Sequence, residues 1–377
     1  MGSADEQGAE QQPPVPEVME PVVPEVVTAA PLEMQEIVEN VPLPVDKYPL
    51  IDSQTAALLG GVNKLVIQQD IKWVEAITQG CIEQANSYKI FDQTRSSMFM
   101  KVQEESNDCN RCFCAPNHSF LLRFTAVDAA GNPLFPVMTM ERVGCCKKCV
   151  ACWTCCECCI DAMRLHAGEV RGVPGELPSD QVIGSTTQTR GGGGFHPILH
   201  VMDTPAPGTN RIDDPVTLAA PAKQEMEADN PQEPPLALIK GPTCFGGCTE
   251  LCCSKPFEVA RVVPGTEPSQ YKKLNFGDLA TITKLKPSSF GFALRELLTD
   301  SDVYEVTFAD KSITPQQKAT LLAAVMHLDY MFFERDNDMV TVDTESVKIN
   351  ICNCYCYGCI CPCSVRINYR DRNDNHF

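Results

Sequence analysis

The sequence predicts a mainly β (α+β) domain whose strands close into a sandwich or barrel, with one apolar helix enclosed by protein. Three observations lead there. From Tyr48 onward, short apolar runs alternate with turn signals at the spacing of a meander. Residues 314–334, TPQQKATLLAAVMHLDYMFFE, carry the marks of a helix start and are then apolar nearly all round. Ahead of Tyr48 the composition is rich in Pro, Glu and Val, which cannot bury enough surface to fold.

In chain order, residues 1–47 form a disordered arm with ten acidic residues against Lys47 alone. Pro13 and Pro16, and Pro21 and Pro24, are spaced as P-x-x-P, which favours polyproline II. The arm serves either as an SH3 or WW ligand or as a passive acidic spacer. Strands are expected for LVIQQ (65–69), WVEAI (73–77), YKIF (88–91), MFMKV (98–102), FLLRFTAVD (120–128) and, past a turn at 129–133, VMTMERV (137–143). A second half supplies QVIGSTTQT (181–189), FHPILHVMD (195–203), LALIKGPTC (236–244), PFEVARVV (256–263), LATITKL (279–285) and VYEVTF (303–308). The glycines at 191–194 read as a hairpin link, since no strand-then-helix setting for a phosphate loop surrounds them. Residues 204–235 are a Pro- and acid-rich stretch too long for a compact turn, hence a long mobile loop.

In the helix, Thr314 can cap, Pro315 fits the first turn, and Gln317 completes a capping box. A spanning helix wants about 20 apolar residues. This run is shorter and holds His327 and Asp329, and a charge at mid-bilayer costs at least about 2.5 kcal/mol. Enclosure by protein is therefore favoured over spanning.

The sequence LRELLTDSDVYEVTFAD (294–310), followed by AVMHLDYMFFE (324–334), resembles the C-terminal part of the phospholipid scramblase family. SYKIFD, FLLRF with its GNP turn, and MTMER are similar to that family's opening strands in the same order. The resemblance implies a tubby-like fold over residues 48–335: a closed antiparallel β-barrel of about twelve strands around a central hydrophobic helix. It leaves residues 336–377 as a Cys-rich tail without a family account. It further implies calcium-dependent, ATP-independent, bidirectional movement of phospholipids between leaflets, at the cytoplasmic face of the plasma membrane. A lone enclosed helix gives no hydrophilic groove, so such transport would need helix insertion or a homo-oligomer. The alternative is a palmitoylated peripheral scaffold that binds lipid headgroups and SH3 or WW partners without transport. No nucleotide loop and no nucleophile–base pair can be proposed, so side-chain catalysis is not expected.

The formal charge of −18 argues against nucleic-acid binding and against purely electrostatic docking on anionic lipid. Any membrane contact is then apolar or covalent. The acidic N-terminus lacks a signal-peptide core, and Glu6 stands where the myristoylation pattern wants Ser or Thr. Twenty-two cysteines without an export signal point to a reducing compartment, hence to metal sites or acylation before disulfides.

Those cysteines fall largely in four clusters, and two chemistries compete for them: tetrahedral zinc and palmitoylation. Cys155, Cys156, Cys158 and Cys159 resemble the family's multiply palmitoylated run, with Glu157 where the family often has Pro. Cys109, Cys112 and Cys114, together with Cys244, Cys248, Cys252 and Cys253, are assigned to zinc. The fourth cluster, Cys352 to Cys363, resembles a metallothionein-like or acylated tail, or a C-x-C-x-C strand with every sulfur on one face. His196 and His200 lie four apart without a nearby Glu and are taken as structural.

By resemblance, DSDVYEVTFADK at 300–311 is a calcium segment, with Asp300, Asp302 and Asp310 as its best ligands. It is no EF-hand, since Glu305 holds the position that needs Gly. Tyr304, Val306 and Phe308 alternate with Glu305 and Thr307 as in a half-buried strand. Either a weak site, near the millimolar end, or a solvated acidic turn fits.

Overall fold

The structure is a computed structural model that describes residues 51–70, 85–93, 97–107, 118–143, 160–203, 235–249, 255–285, 302–333 and 340–368. Helix α1 (Ser53–Gly60) is capped by Asp52, whose carboxylate accepts from the Thr55 N–H at 2.8 Å. Strands β1 (Lys64–Gln69), β2 (Ser87–Asp92), β3 (Met98–Ser106), β4 (Phe120–Val127) and β5 (Pro133–Arg142) follow. Then come β6 (Ala162–Ala167), β7 (Val182–Gln188), β8 (Ile198–Asp203) and β9 (Ala237–Lys240). The short β10 (Cys244–Phe245) precedes β11 (Phe257–Arg261), β12 (Ala280–Lys284) and β13 (Val303–Phe308).

All of these except β10 form one closed antiparallel barrel in chain order, with β1 hydrogen-bonded to both β2 and β13. Closure leaves the ring without an unpaired edge. Alternation sets the two faces: on β13, Tyr304, Val306 and Phe308 are buried, while Glu305 reaches outward to Lys64 of β1 at 2.9 Å.

Helix α2 (Pro315–Leu328) begins with the anticipated capping box. Thr314 Oγ1 accepts from the Gln317 N–H, and Gln317 Oε1 accepts from the Thr314 N–H, each at 3.2 Å. Gln316 and every residue from Lys318 to Leu328 are buried. The chain continues as a π-helical turn, Asp329–Phe333. Apolar side chains of α2 and this turn share one core with inward-facing residues of the barrel strands. A helix with no exposed face has its stability from that packing rather than from amphipathicity. Its approach to β7 is close at Gly184, where a Cβ would stand 2.5 Å from Thr320 Oγ1 and 2.9 Å from the Met202 carbonyl oxygen.

The expected strands match with small shifts, and the differences have local causes. LALIKGPTC is two strands, because the ladder stops at Pro242, which has no N–H to give, and the chain bends at Thr243 before β10. β6 and α1 were not anticipated. In β6, Arg164 and His166 look solvated, yet both are buried beside Glu141, with His166 Nε2 at 3.0 Å and the Arg164 guanidinium at 3.7 Å. WVEAI, the loop 204–234 and the arm 1–47 lie outside the described residues.

The Cys-rich tail is folded over residues 340–368. β14 (Val340–Val342), β15 (Ser346–Cys356) and β16 (Cys359–Asn368) build a second sheet, in which β16 runs along one side of β15 while β14 and β10 share the other. The β15–β16 hairpin turns on Tyr357 and Gly358, both at positive φ (48° and 85°), as a two-residue hairpin loop requires. Pro362 is tolerated because β16 pairs only with β15 among the described residues.

Candidate functional site

Three groups of chemistry-bearing residues stand out: the polar groups of the buried helix, the acidic residues beside β13, and the sulfurs of the second sheet.

The helix carries its polar groups into the core, and each meets a partner. Lys318 Nζ donates to the carbonyls of Leu59, Gly60 and Val62 at 3.1, 2.8 and 2.6 Å, capping the C-terminal end of α1. Burial lowers the Lys318 pKa. His327 Nδ1 lies 2.7 Å from Thr186 Oγ1 of β7, and its Nε2 lies 3.9 Å from Asp161, which also binds the Arg142 guanidinium. Asp329 accepts from two phenols on neighbours of β1, Tyr88 of β2 at 2.6 Å and Tyr304 of β13 at 2.5 Å. Tyr330 Oη donates to Glu104 of β3 at 2.8 Å. Burial alone would raise the Glu104 pKa. Hydrogen bonds from His118, Ser106 and the Asn86 N–H, with the His118 charge, instead bring it down to about 2.

These hydrogen bonds reach β13, β2 and β3, which with β1 make one arc of the ring, and β7 away from it. A π turn at Asp329 suits the arrangement, since such turns redirect side chains within a helix and recur at functional sites. His327 and Asp329 were noted in the sequence; their partners were not, because nothing local to Tyr88, Tyr304 or Thr186 marks them.

The calcium segment departs from its expected grouping. Asp302 precedes β13 and Asp310 follows it, so the strand alone holds them roughly 16 Å apart at ~3.3 Å per residue. One ion cannot bind both. Asp302 pairs with Lys284 Nζ at 2.8 Å and lies 3.1 Å from Tyr304 Oη, whose proton goes to Asp329. Asp310 is held below the usual carboxylate range by the Ser312 N–H and hydroxyl and by Arg261, whose guanidinium lies 2.7 Å away. Asp300 lies outside the described residues.

The sulfurs also regroup. Among the seven cysteines assigned to zinc, only Cys244 and Cys248 are among the described residues, and Cys244 meets the tail rather than Cys248. Its Sγ lies 3.3 Å from that of Cys354. Neighbouring sulfurs and burial raise the Cys354 pKa, hydrogen bonding to Cys244 foremost. The palmitoylation run Cys155, Cys156, Cys158 and Cys159, and the cluster Cys109, Cys112 and Cys114, lie outside the described residues. His196 and His200 are separate: His196 Nδ1 is 3.2 Å from the Gly241 carbonyl, and burial pushes His200 down to about 4.

A twelve-stranded closed barrel whose interior packs on one buried apolar helix defines the class of this chain. The scramblase family model matches residues 45–229 and 270–335. The chain belongs to the scramblase family. It is 24% identical to human phospholipid scramblase 2 over 298 residues, covering 79% of this chain and 76% of that protein. It is 26% identical to mouse phospholipid scramblase 1 over 293 residues, covering 78% and 68%. No solved structure matches the chain.

Proposed function

We propose that this chain is a membrane-associated phospholipid scramblase that moves phospholipids in both directions between leaflets, triggered by calcium and without ATP. The observation that carries this is the family match, which includes the whole buried helix. Movement down a lipid gradient needs no side-chain nucleophile. No helix among the described residues is long and apolar enough to cross a membrane. In the folded state Lys318, His327 and Asp329 are satisfied inside the protein, so the enclosed helix offers lipid headgroups no path. Transport then requires release of the helix or association of several barrels. Calcium would act at the Asp302 end of β13, in exchange for Lys284.

Reconstitution of the purified chain into liposomes with a dye-labelled lipid tests this. A calcium-dependent gain in flip rate is expected without nucleotide; an unchanged rate overturns it. Asp302→Ala is expected to remove the calcium response.

The second reading is a palmitoylated peripheral scaffold at the cytoplasmic face of the plasma membrane. The enclosure of the helix favours it, since anchoring must then come from elsewhere, and two acyl chains suffice for stable attachment. Replacing Cys155, Cys156, Cys158 and Cys159 by Ala is expected to release the protein from membranes. Retention would remove that cluster as the anchor. SH3 or WW partners of the P-x-x-P arm belong to the same reading, with pull-down by the arm as the check.

A further inference from the structure

The second sheet places seven sulfurs on one face. Across β15 and β16, Cys352 is opposite Cys363, Cys354 opposite Cys361, and Cys356 opposite Cys359, while Cys244 of β10 is opposite Cys354. Directly opposed residues share a face, and so do residues two apart on a strand. The other face turns inward: Asn353 and Tyr355 are buried, and Tyr355 Oη donates to the Gly192 carbonyl at 2.8 Å.

Cys354 stands at the centre, with Cys244 and Cys352 close to it and to each other, and Cys363 approaching it from β16. The Sγ atoms of Cys244, Cys352 and Cys354 all lie within 4.8 Å of one another. Cys363 Sγ lies 3.5 Å from Cys354 Sγ. Cys356 and Cys359 stand further along the hairpin, beside its turn. The 3.3 Å and 3.5 Å separations are too long for disulfides, whose S–S bond is about 2.05 Å. They are close to what a shared metal requires. With Zn–S near 2.3 Å, a tetrahedral tetrathiolate site has its sulfurs about 3.8 Å apart.

We propose that Cys244, Cys352, Cys354 and Cys363 form a structural zinc site. Each Sγ gives its proton to solvent as its bond to the ion forms, and no oxidant or reductant takes part. Four soft thiolates in a tetrahedral set suit zinc over calcium or magnesium, which take oxygen ligands. The ion staples β10, which leads from barrel strand β9, to a tail strand 110 residues further along the chain. Three of the four ligands lie beyond residue 335, where the scramblase family model ends. The fourth, Cys244, falls between the two matched stretches, 45–229 and 270–335, and the site stands whether or not the chain moves lipid.

Zinc is counted by mass spectrometry on the full-length chain, purified in reducing buffer and dialysed against zinc. Cys244→Ser and Cys354→Ser are each expected to lower bound zinc by one ion per chain, and Cys356→Ser to leave it unchanged. Equal zinc in Cys354→Ser and the parent chain overturns the site, as does an equal loss in Cys356→Ser. Because a serine variant can misfold, a second measurement uses the unaltered chain. Alkylation of Cys352, Cys354 and Cys363 in zinc-loaded protein is expected to be at least about tenfold slower than that of Cys356, with the difference abolished by a chelator. Uniform labelling, or acyl groups on these sulfurs released by hydroxylamine, overturns the proposal.

Discussion

Replacing Gly184 by alanine tests the seating of the buried helix. The added methyl would meet Thr320 Oγ1 at 2.5 Å, Thr320 Cγ2 at 2.8 Å and the Met202 carbonyl oxygen at 2.9 Å. All three are nearer than ordinary van der Waals contact, and the last is backbone. Overfilling a packed core costs about 1–3 kcal/mol. Losing a glycine from a strand returns roughly 0.5–1 kcal/mol. The difference is a destabilisation of about 0–2.5 kcal/mol, or a fall in Tm of up to about 10 °C at 2–4 °C per kcal/mol for a domain of this size. Thr320→Ala in the same background removes two of the three clashes, at the loss of a hydrogen bond to the Gln316 carbonyl and of one buried methyl. It is expected to restore part of the loss, an interaction within the range of about 0.5–3 kcal/mol seen for touching residues. Thermal unfolding of the four proteins followed by circular dichroism measures the cycle. A stabilising Gly184→Ala, or additive effects of the two changes, would refute the packing of α2 on β7.

Acid should act through Glu104. Its folded pKa of about 2 lies below its ordinary 4.5, so its contribution is present above pH 4.5 and fades as pH falls towards 2; Glu104→Gln is expected to flatten unfolding curves in that window. Lys318→Met leaves three carbonyls of the α1 end without their ammonium donor and is expected to cost about 2–3 kcal/mol, with faster hydrogen exchange at 59–62. Tyr355→Phe removes the bond to the Gly192 carbonyl and is expected to cost roughly 1 kcal/mol, read as earlier proteolysis of the second sheet. A melting curve unaltered by Lys318→Met would mean that the ammonium is solvated.

The barrel was legible because alternation survives in most of its strands, as in VYEVTF, and the helix because its cap is written in three residues, Thr314, Pro315 and Gln317. β6 was hidden because Arg164 and His166 are buried with Glu141, a pairing that no local pattern announces. The tail hairpin left a signal that could have been used: two C-x-C-x-C runs flank Tyr357 and Gly358, a two-residue turn between alternating segments. The joining of Cys244 to that hairpin could not be read, since it depends on how a loop after β9 meets a strand 110 residues away. The grouping of Asp302 with Asp310 failed for a plain reason: residues close in a linear motif are held apart once the segment between them is extended.

The pairing of β1 with β13 has a consequence for biosynthesis. The ring closes only when its first and last staves meet, so a growing chain carries an open sheet with a raw edge at each side until Phe308 has emerged. The apolar segment that plugs it is translated later still. Throughout that interval the nascent chain bears a greasy concave surface with nothing to fill it, the kind of species that chaperones exist to shield. A ribosome stalled just before residue 315 would display that species for capture.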